Sequence, residues 1–185
     1  MMNAFILHGI YGDPEENWFP WLKQELQQHK IETHIPHFPT IEPRTPLKSW
    51  TEAWEPYDAK VSDQSLIIGH SLGVAFGLSI IERHPVKAAF LVATAWGVTR
   101  NEFDPIMGEI ADQSFDWDAI RNHCSHFEIF HADNDPYLPL ERAETLAKNL
   151  GCTVTVVKGA GHFNTKTSYR EFPLLLKHIE TLIVG

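Results

Sequence analysis

Short apolar runs alternate with amphipathic stretches along the whole chain. Ala4–Leu7, Ser65–Ile68, Ala88–Val92, Phe127–Phe130 and Val154–Val157 are four or five residues long and bounded by Gly, His or charged residues. Runs of that length predict strands covered on both faces of a parallel sheet. Ile31–Phe38 predicts a weaker sixth strand, broken by Pro36.

Helical patterns fill the gaps. Trp18, Trp21, Leu22, Glu25 and Leu26 follow helical spacing behind Asn17, an expected N-cap. Leu47, Trp50 and Trp54 mark one face of a helix over Pro46–Tyr57. Leu72–His84 is closed by Pro85 and Leu140–Leu150 by Gly151, while Ser168–Ile183 carries Pro173 as its awkward member. Strands alternating with helices predict βαβ units with right-handed crossovers. The exception is Trp96–Cys124, a long segment read as irregular and rich in Asp, Phe and Trp, expected to form a short lid-like connection. No repeat or linker divides the 185 residues, so residues 1–185 are expected to form one domain.

Composition narrows the function. Fifteen Lys and Arg against 24 Asp and Glu leave a formal charge of −9. That balance lacks the basic surplus a nucleic-acid binder needs, and it weighs against docking on an anionic membrane. No stretch approaches the roughly 20 apolar residues of a membrane span. Met1-Met2-Asn3 leads straight into an apolar run too short for a signal peptide, and Cys124 and Cys152 are too few for a disulfide framework. A cytoplasmic protein is expected.

The chemistry is concentrated in three places. Gly69-His70-Ser71-Leu72-Gly73 follows an apolar strand and opens a helix, the strand–turn–helix context that makes G-x-S-x-G meaningful. A serine projected from so sharp a turn needs small residues two positions either side, and glycine supplies them. The helix that follows aims free N–H groups and a positive dipole end toward an incoming oxyanion. Serine also needs a base. His162, in Gly159-Ala160-Gly161-His162-Phe163, follows a strand and supplies one; Asp133 and Asp135, in Asp133-Asn134-Asp135-Pro136-Tyr137-Leu138-Pro139, follow an earlier strand and compete as the acid that orients it. The order serine, aspartate, histidine is that of α/β-hydrolases. All three fall at carboxyl ends of expected parallel strands, where sites of open α/β sheets collect. His8 and His70 read as structural hydrogen-bonders. The pairs His34/His37 and His123/His126 lack a Cys or carboxylate at a familiar zinc spacing, so no metal is expected.

Together with His8-Gly9 ending the first strand and Asn17-Trp18-Phe19-Pro20-Trp21-Leu22, these motifs cover nearly the full length. In them the chain resembles the small α/β-hydrolases of the serine hydrolase family that includes retinoblastoma-binding protein 9 and YdeN, and its bacterial branch most. The resemblance implies a minimal α/β-hydrolase fold: a three-layer sandwich on a mostly parallel sheet of about six strands, with no large cap domain. It places the triad acid directly before the Pro of D-P-x-x-P, at Asp135, leaving Asp133 as a turn residue bonding its own backbone. It also implies an oxyanion hole built from the Leu72 amide and a second amide at Ile10, with Tyr11 as the alternative. The retinoblastoma-binding motif L-x-C-x-E is absent, and that role is not implied.

The expected activity is therefore hydrolysis of a small ester or related acyl substrate through Ser71, Asp135 and His162, without a cofactor. The rivals are an amidase, peptidase or thioesterase using the same residues, and a binding module on a hydrolase scaffold. Tyr11, Trp96, Trp117 and Phe163 are expected to line the substrate pocket, with Phe103 and Phe115 as further candidates from the long segment. A small-molecule acyl partner is expected, and no preference of oligomeric state emerges.

Overall fold

A computed structural model describes residues 2–97 and 102–184. Its centre is a sheet of six strands: β1 (Asn3–Leu7), β2 (Glu32–His34), β3 (Ser65–His70), β4 (Ala88–Val92), β5 (Phe127–Ala132) and β6 (Val154–Val157). They lie in the order β2-β1-β3-β4-β5-β6. Every pairing is parallel. In the register of the central pair Leu7 faces Gly69, and His70 faces Val92 on the next strand.

Alternation of side chains sorts the core into two layers. Phe5, Leu7, Ile67, Ala89, Leu91 and Ile129 face one side. There they meet α2 (Leu47–Asp58), α3 (Leu72–Ile81), α4 (Asp104–Ala111), α5 (Trp117–His123) and α6 (Leu140–Leu150). Ala4, Ile6, Leu66, Ile68, Phe90, Val92 and Phe130 face the other side, under α1 (Phe19–Gln28) and α7 (Pro173–Val184). Helix α3 is apolar almost all round because it is covered almost all round, with nine of its ten residues buried. The three-layer sandwich expected from the resemblance is present, and among the described residues no cap domain stands over the strand ends.

Several local expectations are corrected. Asn17 does not cap α1: it sits at φ +55°, Trp18 takes the cap position, and the Asn17 side-chain oxygen Oδ1 accepts from the Thr165 amide at 2.9 Å instead. The last helix begins at Pro173 rather than Ser168, so the proline occupies the first turn, where its missing N–H is no loss. The weak second strand is only three residues long and ends before Pro36. The segment 96–124 contains α4 and α5 rather than irregular chain. Pro105 in the first turn and Gly108 at φ +53° interrupt the periodicity of α4. Residues 98–101 of that segment lie outside the described residues. No described helix is long and apolar enough to cross a membrane.

The topology fixes where a site can form. Strand order reverses direction between β1 and β3, so the connections leaving those two neighbours diverge to opposite faces. The crevice opened at their carboxyl ends is where open α/β sheets bind ligands.

Candidate active site

The elbow at the end of β3 is as tight as its glycines imply. Ser71 has φ +55° and ψ −125°, a conformation L residues rarely adopt, held by its amide donating to the Val92 carbonyl at 2.9 Å. A Cβ at Gly73 would stand 2.1 Å from the carbonyl oxygen of Leu7, and one at Gly69 would stand 2.9 Å from that of Gly73. A third glycine matters equally: a Cβ at Gly9 would lie 2.7 Å from the Cβ of Ser71. The chain leaving β1 therefore packs directly on the serine side chain. The Gly9 of His8-Gly9 is the sequence signal for that contact.

The acid and base loops meet at one bond. His162 donates from Nδ1 to Asp135 Oδ2 at 2.8 Å. The other oxygen of Asp135 accepts from the amides of Tyr137 at 2.9 Å and Leu138 at 3.1 Å. Burial alone would raise the Asp135 carboxyl, but the bond to His162 and its charge, with the Tyr137 amide and His131, outweigh it and hold it below its ordinary value. Asp133 does not bond its own backbone as expected. Its Oδ1 accepts from the Gly159 amide at 2.8 Å, and Asn134 Oδ1 accepts from the Gly161 amide at 2.8 Å. Three consecutive side chains after β5 thus grip three positions of the loop after β6. Sequence reading found the third of them only, because Asp133 and Asn134 look like ordinary turn residues.

Three buried histidines tie the loops together. His8 donates to the Gly9 carbonyl at 2.8 Å and accepts from the Phe38 amide at 2.9 Å. His70 donates to the His162 carbonyl at 2.9 Å. His131 accepts from the Thr94 amide at 3.3 Å and donates to the Leu138 carbonyl at 3.0 Å. Each lies at the carboxyl end of its strand. Burial, the largest influence on each, lowers all three from the usual histidine value, His70 to about 3. They are neutral crosslinks.

A cleft of about 330 Å³ opens over the elbow and is lined by Gly9, Ile10, Tyr11, His70, Ser71 and His162. Leu72 opens α3 with its side chain buried, and its amide belongs to the first turn, whose N–H groups have no partner within the helix. Ile10 lines the cleft, whereas the Tyr11 amide is already donated to Thr40 Oγ1 at 2.7 Å. That leaves Ile10 the better placed of the two expected donors. A hydroxyl on a strained turn and an imidazole sharing one cleft, with a carboxylate buried behind the imidazole, can together perform acyl transfer.

Of the expected pocket residues, Tyr11 and Phe103 line the cleft, and Trp96, Trp117, Phe163 and Phe115 do not. Trp96 and Trp117 stack edge-on at 5.4 Å against the layer formed by α2–α6. Phe163 is fully buried, its backbone at φ +49° turning the ring into the opposite layer, where it meets Tyr169 and Phe172. Phe115 packs on Trp117 at 5.3 Å. Phe103 does reach the cleft, beside Met107, Tyr137 and Leu138. The four share no single periodic stretch, which is why pattern reading passed over most of them. Among the described residues no group of three or more His, Cys, Asp or Glu is arranged to hold a metal ion, and both cysteines are free thiols.

A family model described as serine hydrolase matches residues 4–181, and the chain belongs to that family. It is similar to YdeN of Bacillus subtilis strain 168, 22% identical over 176 residues that cover 93% of this chain and 91% of YdeN. It is also similar to the serine hydrolase RBBP9 of Rattus norvegicus, 25% identical over 169 residues covering 89% and 87% of the two chains. The crystal structure of the B. subtilis ydeN gene product superposes with a TM-score of 0.88 at 21% identity, covering all of both chains. Est1E from Butyrivibrio proteoclasticus, bound to ferulic acid, superposes with a TM-score of 0.68 at 17% identity, covering all of this chain and 90% of that one. The protein is a hydrolase of the α/β fold.

Proposed function

We propose that this hydrolase cleaves a small ester by way of an acyl-enzyme on Ser71. The observation that carries the reading is the 2.8 Å bond from His162 to Asp135 at the cleft that also exposes the Ser71 elbow. Asp135, a buried acceptor, fixes the imidazole with its proton on Nδ1, leaving Nε2 free to act as base. His162 takes the Ser71 proton as Oγ forms a bond to the acyl carbon. The resulting oxyanion is bound by the amides of Leu72 and Ile10, and losing one such donor typically costs about 10²–10³ in turnover. His162 next passes its proton to the leaving oxygen, and the bond between acyl carbon and leaving group breaks. Water then attacks the acyl carbon, giving its proton to His162. The carboxylic acid departs and Ser71 recovers its proton.

The partner in this reading is a small-molecule acyl compound. Matched acyl esters, thioesters and amides compared by kcat/KM test it. The ester is expected to be turned over, and Ser71→Ala and His162→Gln are each expected to abolish that turnover. A preference for the thioester or amide would move the substrate class while keeping the residues. Ester turnover that survives both substitutions would move the chemistry to other residues, whereas no turnover of any series, with the protein's phenotype tolerating both substitutions, would leave a binding module as the better account.

A further inference from the structure

The cleft is not chemically uniform around Ser71. One end is built by the start of α4 and the acid loop: Phe103, Met107, Tyr137 and Leu138. The Phe103 and Tyr137 rings meet edge-on at 5.3 Å, and Tyr137 meets the His162 ring at 5.0 Å. Past Tyr11 and Phe103 lies a second hollow of about 400 Å³, where Pro43, Pro105 and Ile106 stand with the carboxylates Glu42 and Glu102, so the apolar surface ends there. The other end is built by the chain entering α1 and the chain leaving His162: Glu16, Asn17, Thr165 and Lys166. The Thr165 amide joins these two segments through Asn17 at 2.9 Å. Among the described residues neither Glu16 nor Lys166 takes part in an ion pair.

Polarity assigns the two ends. The apolar side chains of Phe103, Met107 and Leu138 suit an acyl chain, which places the leaving group at the other end, beside Glu16, Asn17, Thr165 and Lys166. At the polar end a carboxylate and an ammonium stand with an amide and a hydroxyl, a set of both acceptors and donors. A net anion would meet Glu16 and a net cation Lys166, whereas a neutral group with several hydroxyls can satisfy both. An amino-acid leaving group is a poorer match. Its amine is tied up in the scissile bond, so it presents a carboxylate alone.

We propose that the substrate, on the reading of the chain as an ester hydrolase, joins an apolar acyl group to a neutral polyhydroxylated alcohol, with Glu16 and Lys166 forming the alcohol subsite. The test compares octanoyl esters that differ only in the alcohol: glycerol, ethanol, choline and glycolate. The glyceryl ester is expected to exceed the ethyl ester in kcat/KM by about tenfold, the worth of one hydrogen bond to a charged group. Lys166→Ala and Glu16→Ala are expected to shrink that ratio several-fold. A choline or glycolate ester that outpaces the glyceryl ester, or a glyceryl-to-ethyl ratio near one, overturns the proposal, as does a ratio that neither substitution moves. Labelling by a fluorophosphonate probe run alongside separates the two levels. A labelled Ser71 with a flat alcohol profile defeats the alcohol subsite alone, whereas an unlabelled Ser71 defeats the hydrolase mechanism and the subsite together.

Discussion

His70 donates a hydrogen bond from Nε2 to the backbone carbonyl of His162 at 2.9 Å, with the two rings 5.0 Å apart. The residue beside the elbow serine therefore holds the loop that carries the base. Viewed from the strand ends, the three buried histidines join six loops in three pairs: His8 joins the loops after β1 and β2, His70 those after β3 and β6, and His131 those after β4 and β5. His70→Leu removes the donor and is expected to lower kcat by about 10²-fold, the order of loss that small misplacement of a reacting group produces. KM should change little. His70→Gln, whose amide can reach a carbonyl, should recover part of the loss. Equal activity in the wild type and His70→Leu would show that the bond positions nothing.

The neutral state of these histidines has a consequence for stability. Below the ordinary value of 6.5 the unfolded chain takes up a proton at His8, His70 and His131, while the folded chain resists, His70 down to about 3. The unfolded state then binds more protons, so stability falls as pH drops below 6.5. The slope is at most about 1.4 kcal/mol per pH unit for each residue. Urea unfolding followed from about pH 7 to about pH 5 is expected to show a falling midpoint, less steep in His70→Gln. A midpoint flat over that range would contradict the assignment of buried neutral histidines.

The two acids are distinguishable by substitution. Asp135→Asn keeps the shape but not the charge that pairs with a protonated imidazole, and a loss in kcat of about 10⁴ is the precedent for such a change in a serine triad. Asp133→Asn retains an oxygen for the Gly159 amide on an exposed residue, so activity should stay within about twofold, as for ordinary surface changes. Steady-state kinetics on one ester decide between them. The reverse ranking would reassign the acid.

Two glycines separate folding from chemistry. Gly73→Ala drives a methyl against the β1 backbone and is expected to cost more than about 3 kcal/mol, the upper end of ordinary overpacking. Gly9→Ala presses instead on the Ser71 Cβ at 2.7 Å and Oγ at 3.0 Å, a less severe approach that side-chain rotation relieves only at Oγ, so the loop after β1 must shift against the serine, sparing more of the stability while displacing the hydroxyl. Thermal unfolding alongside ester turnover should place the greater stability loss in Gly73→Ala and a severe turnover loss in a still folded Gly9→Ala.

The sheet was legible because β1, β3 and β4 are buried along their whole length and so are nearly all apolar, and because β6, though partly exposed, is a run of four β-branched residues. The elbow, Asp135 and His162 were legible because tight turns and proton transfer restrict residue choice. What escaped was set by long-range packing. The Asp133 and Asn134 side chains read as turn residues until the loop after β6 is seen beside them. Trp96 and Trp117 satisfy each other and the core, a fate indistinguishable in sequence from lining a pocket. Helix α5 spans only seven residues, too few for its periodicity to stand out, although Asp116 caps it through the Asp118 and Ala119 amides.

The central claim is that Ser71 is a nucleophile activated by His162. Mass spectrometry of the intact protein after exposure to a fluorophosphonate, followed by peptide mapping, tests it most directly. A single adduct on Ser71 is expected, slowed strongly by His162→Gln and absent in Ser71→Ala. An adduct that persists in Ser71→Ala, or no adduct in the folded wild type, would contradict it.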